Sequence, residues 1–115
     1  MKILSEAAAV GVGGFAGAVV RHFVIGVTGS TTGIISVNLA GCLLLGFLTG
    51  DSKLTLFLAT GFLGALTTFS AFSGHTVKLW NAGETTTAAL FILVNVFAGI
   101  AAFVTGMGLK GKFFS

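Results

Sequence analysis

Three hydroxyl side chains lie in the middle of an apolar stretch, GFLGALTTFSAF, where the chain is otherwise built of phenylalanine, leucine and small residues. They are Thr67, Thr68 and Ser70, and at membrane depth each would be costly unless it found a hydrogen-bond partner. Two further polar residues, Asn38 and Asn95, lie within other apolar stretches. Such amides either join helices through hydrogen bonds or line a polar pathway with N–H donors aimed at an anion. The residues alone leave both uses open.

The ionisable residues exclude several classes of protein. The acidic residues Glu6, Asp51 and Glu84 all lie at the ends of apolar segments or between them. A proton-coupled transporter generally carries its proton on an ionisable group inside the membrane, and the chain offers no carboxylate there. The histidines His22 and His75 have no carboxylate or cysteine at metal-ligand spacing. We therefore expect no enzyme and no metal centre built from these side chains.

The composition indicates that the lipid bilayer is the solvent of this chain. Of 115 residues, 55% are hydrophobic and only 8% are charged, with a mean hydropathy of +1.07. A soluble domain carries roughly a quarter charged residues. The net charge of +3 is spread along the chain, so we expect loop and anchoring charges and no nucleic-acid partner. The single cysteine, Cys42, cannot form an intrachain disulfide and is interpreted as a small packing residue.

Four apolar segments are long enough to cross a hydrocarbon core, which needs roughly 20 helical residues. Short polar linkers, VTGSTTG, DSK and NAGET, separate them, so neighbouring helices should be antiparallel and both termini should lie on one side. We expect a single domain over residues 1–115. The predicted helices cover about residues 3–26, 32–50, 54–80 and 86–109.

The third segment is longer than a membrane span requires. At ~1.5 Å per residue, its 27 positions would form a helix of about 40 Å. Gly61, Gly64 and Gly74 permit a break, and nearby hydroxyls can satisfy the backbone groups that a break would free. The alternative is an intact helix whose hydroxyls bond to the preceding turn. The density of hydroxyls and glycines favours the break, so the predicted fold is all-α, with four transmembrane helices and the third broken at its centre.

Glycines and one arginine mark the first two segments. Gly13 and Gly17, like Gly46 and Gly50, have the four-residue spacing that lets helix backbones approach closely in lipid. Arg21 lies near the end of the first segment. Its charge either extends to the lipid headgroups or attracts anions to a vestibule, and its position does not decide between the two.

Three motifs together resemble the Fluc, or CrcB, family of small fluoride channels. They occur in order and in the expected segments, as GGFAGAVVRH, VNLAG and GFLGALTTFSAF. The resemblance covers nearly the whole chain. It implies an antiparallel, dual-topology dimer with two fluoride pores, in the prokaryotic plasma membrane. It also implies passive export of fluoride, which relieves the toxicity of this anion.

The resemblance further assigns roles to residues of this chain by their motif positions. It implies a structural sodium ion held by the backbone carbonyls of Gly64 and Thr67, and it places Arg21 at the vestibule. Asn38 would be a polar gatekeeper beside a pair of phenylalanines. The six side chains of the implied fluoride pathway are Asn38, Phe69, Phe72, Ser70, Thr68 and Asn95.

The chain also departs from the family pattern. His75 stands where the family often has a glutamate, while Phe91, Asn95 and Gly99 stand where helix four usually carries a tyrosine and serines. These changes leave two implied partners open: a second copy in a homodimer, or a homologous subunit in a heterodimer. Loop charges, with four basic residues on the termini side against two opposite, are compatible with either.

Two other classes of protein remain as alternatives. A four-span multidrug-type exporter has the same size, but it normally needs the membrane carboxylate that this chain lacks. A structural subunit of a larger membrane complex would need no pore chemistry.

Overall fold

The computed structural model describes residues 1–48 and 52–114, and these residues form helices without any strand. Each of four helical spans is long and apolar enough to cross a membrane. The predicted all-helical fold with four membrane-capable helices is therefore confirmed. The four spans are Lys2–Thr28, Ser30–Phe47, Lys53–Asn81 and Thr85–Lys112.

The connection between the first two spans is shorter than predicted. Only Gly29 separates the helices, and its φ of 91° lies in the region that glycine adopts without strain. The predicted linker VTGSTTG is wrong because its hydroxyl residues fit inside helices; Thr28 Oγ1, for example, donates to Val24 O at 2.7 Å. The end of the predicted segment 32–50, with Gly50, lies outside the described residues, as does Asp51 of the predicted DSK linker.

The third span is not uniform along its length. Thr67 and Thr68 have extended backbone angles, with ψ of 152° and 121°, so the helical backbone is interrupted there. The residues on either side are helical. In chain order the pieces are an α-helical turn Lys53–Thr55, a π-helical segment Leu56–Leu63, an α-helical turn Gly64–Leu66 and an α-helix Phe69–Asn81.

The fourth span also contains a π-helical segment, Val94–Ala98, between the α-helices Thr85–Leu93 and Gly99–Phe114. Such wide turns shift the side chains that follow them and are often found at functional sites. This one contains Asn95. The fourth span therefore changes its helical pitch at its one mid-span amide.

The first span packs along Leu56–Leu63 of the third. A Cβ atom at Gly13 or Gly17 would collide with the backbone carbonyl of Phe57 or of Phe62. Only glycine permits this approach, and the predicted role of the pair in close helix packing is confirmed. The two backbones are held together here by van der Waals contact, since no hydrophobic effect drives helices together in lipid.

The second span packs along Gly99–Phe114 of the fourth span in a similar way. A Cβ at Gly46 would collide with Phe103 O, and one at Gly106 would collide with Leu43 O. The molecule is thus built from two closely packed helix pairs. The polar residues singled out above lie where these pairs meet.

Candidate functional site

The interruption in the third span is held by a side chain of the second. Asn38 Oδ1 accepts a hydrogen bond from the Thr68 backbone N–H at 2.7 Å, and Asn38 Nδ2 donates to Thr68 O at 3.2 Å. One amide side chain therefore bonds both backbone polar groups of Thr68, a residue whose backbone angles are extended. Without it, the Thr68 N–H would be unpaired at membrane depth, at a cost of several kcal/mol.

The same amide reaches the fourth span. Asn38 Nδ2 donates to Asn95 Oδ1 at 2.8 Å, and Asn95 Nδ2 donates to Phe91 O at 2.8 Å. Three spans are thus joined by a continuous set of hydrogen bonds. Of the two uses that the residues left open, hydrogen bonding between helices is confirmed. The use as a polar pathway stays a prediction.

The hydroxyls around the interruption have different partners. Thr68 Oγ1 accepts from Ala71 N at 3.0 Å and so caps the helix that begins at the next residue. It also lies 3.4 Å from Ser70 Oγ. Thr67 Oγ1 donates to Leu63 O at 3.1 Å, in the preceding turn. Of these two adjacent threonines, Thr68 therefore caps the following helix, whereas Thr67 bonds to the preceding turn.

Aromatic rings extend from the interruption toward the end of the third span. The centroids of Phe69 and Phe72 are 5.5 Å apart, and so are those of Phe72 and Phe91. His75 meets Phe91 edge to face at 5.1 Å, and His75 Nε2 lies 2.7 Å from Thr31 Oγ1. Phe72 is buried, whereas Phe69 is 77% exposed. The Thr31 contact was not predicted, and the only signal for it was a polar residue near the end of each helix.

A cavity of about 300 Å³ brings most of these groups together. Five of the six predicted pathway side chains line it; Ser70 does not, but its hydroxyl contacts Thr68. No charged side chain is among its lining residues, which are Asn38, Cys42, Thr67, Thr68, Phe69, Phe72, Asn95, Val96 and Ile100.

A second cavity, of about 340 Å³, shares part of this wall. Asn95 and Cys42 line both cavities, and Phe103 and Val104 extend the second one along the fourth span. The Asn95 amide therefore stands between an aromatic cavity and an almost wholly apolar one. It is the main polar group that the two have in common.

Arg21 contacts the third span just before the interruption. Its Nε donates to Ala65 O at 3.0 Å, and the side chain is partly buried. Ala65 O would bond Phe69 N in a continuous helix, so the arginine occupies an acceptor that the interruption has released. No pattern in the sequence indicated this partner, and the predicted vestibule role of Arg21 stays a prediction.

Two further carbonyl oxygens at the interruption accept few hydrogen bonds. Thr67 O accepts no hydrogen bond from the described part of the chain, and Gly64 O accepts only from Thr67 Oγ1, at 3.3 Å. Carbonyl oxygens are suitable ligands for hard cations. Within residues 1–48 and 52–114 no group of three or more His, Cys, Asp or Glu side chains is placed to hold a metal ion.

Four apolar helices around a cluster of neutral hydrogen-bond donors define a multi-pass membrane protein. The family model described as "CrcB-like protein, Camphor Resistance (CrcB)" matches residues 8–107. The chain belongs to this family, and the resemblance inferred from its three motifs is confirmed.

Relatives from bacteria and archaea carry one name, fluoride-specific ion channel FluC. The chain is 38% identical to the Ruminiclostridium cellulolyticum protein, over 95% of this chain and 92% of the relative. It is 40% identical to the Paracoccus denitrificans protein, over 85% and 88%. It is 43% identical to the Methanocaldococcus jannaschii protein, over 82% and 85%.

Proposed function

We propose that this protein is a fluoride channel. Its relatives are named as fluoride-specific ion channels and match it over most of its length. The observation that carries the proposal is the cavity at the interruption, whose walls contain amide, hydroxyl and aromatic side chains and no charged group. A channel of this kind catalyses no reaction.

The chemistry of the cavity suits a small, strongly hydrated anion. A pore must replace the water of fluoride with donors, yet it must bind the ion weakly enough to release it. Thr68, Ser70 and Asn95 carry O–H or N–H donors, and Asn38 holds the backbone around them. Phe69 and Phe72 can turn their electropositive ring edges toward the ion. A site of neutral donors attracts an anion without trapping it as a fixed cation would.

A structural sodium ion fits the carbonyl oxygens of Gly64 and Thr67. Both belong to the interrupted stretch and are free of backbone hydrogen bonds within the described residues. A bound cation would supply long-range attraction for an anion in a region of low dielectric constant. Exchange of sodium for potassium in all buffers should lower the thermal midpoint and slow fluoride efflux. Unchanged values in potassium would remove sodium from the proposal.

The working unit is a dimer, either two antiparallel copies of this chain or this chain with a homologous subunit. The cavity wall supports this because Phe69, Val96 and Ile100 are exposed in the single chain although they line the site. Burial against a second subunit would close the pathway on that side. In the antiparallel homodimer the two pores are equivalent, whereas a heterodimer permits them to differ.

The proposed direction of transport is outward across the prokaryotic plasma membrane. A negative-inside potential drives an anion out of the cell, so export needs no coupled proton. This agrees with the described carboxylates, Glu6 and Glu84, which lie near span ends; Glu6 pairs with Lys2 at 3.7 Å.

The decisive experiment is fluoride efflux from liposomes that contain only this protein. Wild-type protein should release fluoride and retain chloride. Phe72→Ala should slow efflux about fivefold, because ring-edge contacts contribute about 1 kcal/mol, and Asn38→Asp should slow it as well. Phe15→Ala is the matched control, since Phe15 is 75% exposed on the first span. Absence of efflux from folded wild-type protein would exclude the homodimer and direct the search to a homologous subunit.

A further inference from the structure

One turn of the second span contacts both residues of the interruption in the third. Asn38 bonds the backbone of Thr68, as described above. Gly41, three residues further along the same helix, lies against the side chain of Thr67. This second contact depends on shape, because a Cβ atom at Gly41 would collide with the methyl group of Thr67. The methyl group therefore occupies space that only a glycine at residue 41 leaves open.

The side chain of Thr67 is fixed from two directions. Its hydroxyl donates to Leu63 O at 3.1 Å and to Gly64 O at 3.3 Å, while its methyl group faces Gly41. Threonine is branched at Cβ, so the hydroxyl and the methyl group can only turn together. The orientation of Thr67 is thus set jointly by the preceding turn of its own span and by the second span.

A methyl group on residue 41 would disturb this arrangement whichever way Thr67 responds. Rotation to the staggered position that turns the Cβ hydrogen toward residue 41 carries the methyl group to the place of the hydroxyl, which then loses Leu63 O. Rotation in the other direction brings the hydroxyl into the same collision. Without rotation, the backbone of Thr67 must move away from the second span. Each response changes the stretch that contains the carbonyl oxygens of Gly64 and Thr67.

We propose that Gly41 is a positioning residue for the cation site. By accommodating the methyl group of Thr67, it holds the carbonyl oxygens of Gly64 and Thr67 in the arrangement that binds sodium. This inference rests on the sodium ion of the proposed function and concerns a residue outside the proposed ligands. Residues that orient the ligands of a metal ion affect its affinity although they do not coordinate it themselves.

The test measures the thermal midpoint of the purified protein as sodium replaces potassium at constant ionic strength. The midpoint of wild-type protein should rise with sodium, and a fit of the rise gives the apparent dissociation constant. Gly41→Ala should raise that constant about tenfold, as is usual when a residue that orients a metal ligand is changed. Gly33→Ala is the matched control in the same span. Its Cβ would collide with Ile25 of the first span, so it should lower the midpoint without changing the constant.

A second substitution should reverse the effect of the first. Thr67→Ser keeps the hydroxyl but removes the methyl group, and so makes room for the alanine at residue 41. The double variant Gly41→Ala/Thr67→Ser should therefore have the dissociation constant of Thr67→Ser alone, whereas the midpoint of Gly33→Ala should not recover with Thr67→Ser. A Gly41→Ala protein with wild-type sodium dependence would overturn the proposal, and so would a shift that persists in the double variant.

A measurement on unsubstituted protein covers the case in which Gly41→Ala does not fold. With ¹⁵N-labelled glycine and ¹³C-methyl-labelled threonine, a sodium titration should shift the resonances of Gly41 and Thr67 together. That of Gly11, where nothing lies within 4 Å of a Cβ, should stay in place. A response of Thr67 without Gly41 would refute the coupling. Wild-type protein that does not respond to sodium would remove the ion from the proposed function and this inference with it, and liposome efflux would still test the fluoride channel.

Discussion

Two neighbouring parts of the third span are held in place by different physics. Before the interruption, Leu56–Leu63 lies against the first span, where Gly13 and Gly17 bring two backbones together with no side chain between them. At the interruption, the backbone groups of Thr68 are instead satisfied by the Asn38 amide. Substitution of a glycine by a larger residue should destabilise the first contact, and substitutions that remove hydrogen-bonding atoms should destabilise the second.

Arg21 links the two regions. Gly13, Gly17 and Arg21 follow one another at intervals of four residues, so they lie on one face of the first span. The glycines contact the intact helical part of the third span, and the arginine contacts Ala65 O beside the interruption. One helix face therefore changes from close packing to hydrogen bonding where its neighbour stops being helical.

The largest effect should follow from Gly17→Val. The new Cβ would collide with Phe62 O, a backbone atom that cannot move without shifting the helix. We expect a loss of about 3 kcal/mol or more in the free energy of unfolding, at the upper end for overpacking. Gly11→Val is the matched control, because nothing lies within 4 Å of a Cβ at Gly11. Equal unfolding midpoints for the two variants in detergent would contradict the role of close packing.

A smaller effect is expected from Arg21→Met, which preserves an unbranched side chain but removes the donor to Ala65 O. Hydrogen bonds of charged groups contribute about 2 kcal/mol, and we expect a loss of that size in the free energy of unfolding. Lys78→Met, at the exposed end of the third span, should change it little. If the two variants unfold alike, the contact of Arg21 with the interruption does not stabilise the fold.

Thr68→Val tests the cap of the second half of the third span. Valine matches threonine in volume but leaves Ala71 N–H without its acceptor, so we expect a loss of about 1 kcal/mol. Thr105→Val removes an exposed hydroxyl that only bonds to the preceding turn and should be nearly neutral. Chemical unfolding of both variants measures the difference. No difference would mean that the Thr68 cap does not stabilise this half of the span.

The four spans could be predicted because hydropathy depends on the local chain alone. The third span, for instance, begins and ends within one residue of its predicted limits of 54 and 80. The prediction of the VTGSTTG linker was wrong because a threonine hydroxyl can bond to a carbonyl of its own helix, as Thr28 does, and so does not mark the end of the helix. Composition therefore predicts which residues lie in the membrane better than it predicts how short a turn can be.

The partners of the polar residues could not be predicted in the same way. Asn38, Asn95 and Thr68 were recognised as unusual because an amide or hydroxyl at membrane depth needs a partner. Which groups pair depends on how the helices lie side by side, and hydropathy contains no information about that arrangement. The contact of Arg21 with Ala65 O was missed for the same reason, because the acceptor is a backbone atom that any residue would provide.

The smallest predicted effect concerns the pair Thr31 and His75, which joins the second and third spans away from the interruption. Their side chains are 2.7 Å apart and partly buried. Thr31→Val should cost about 0.5–1 kcal/mol, whereas Thr28→Val, which removes an exposed hydroxyl bonded to its own helix, should cost less.

A double-mutant cycle with His75→Phe separates this hydrogen bond from the ring contact of His75 with Phe91, which phenylalanine can retain. If the hydrogen bond stabilises the fold, the cycle of unfolding free energies should return a coupling of at least about 0.5 kcal/mol between Thr31 and His75. Zero coupling would mean that His75 is held by Phe91 alone. Hydrogen bonds would then stabilise the contact between the second and third spans only at the interruption. The difference between stabilisation by close packing, as at the glycines of the first span, and stabilisation by hydrogen bonds would apply only to Thr68 and its partners.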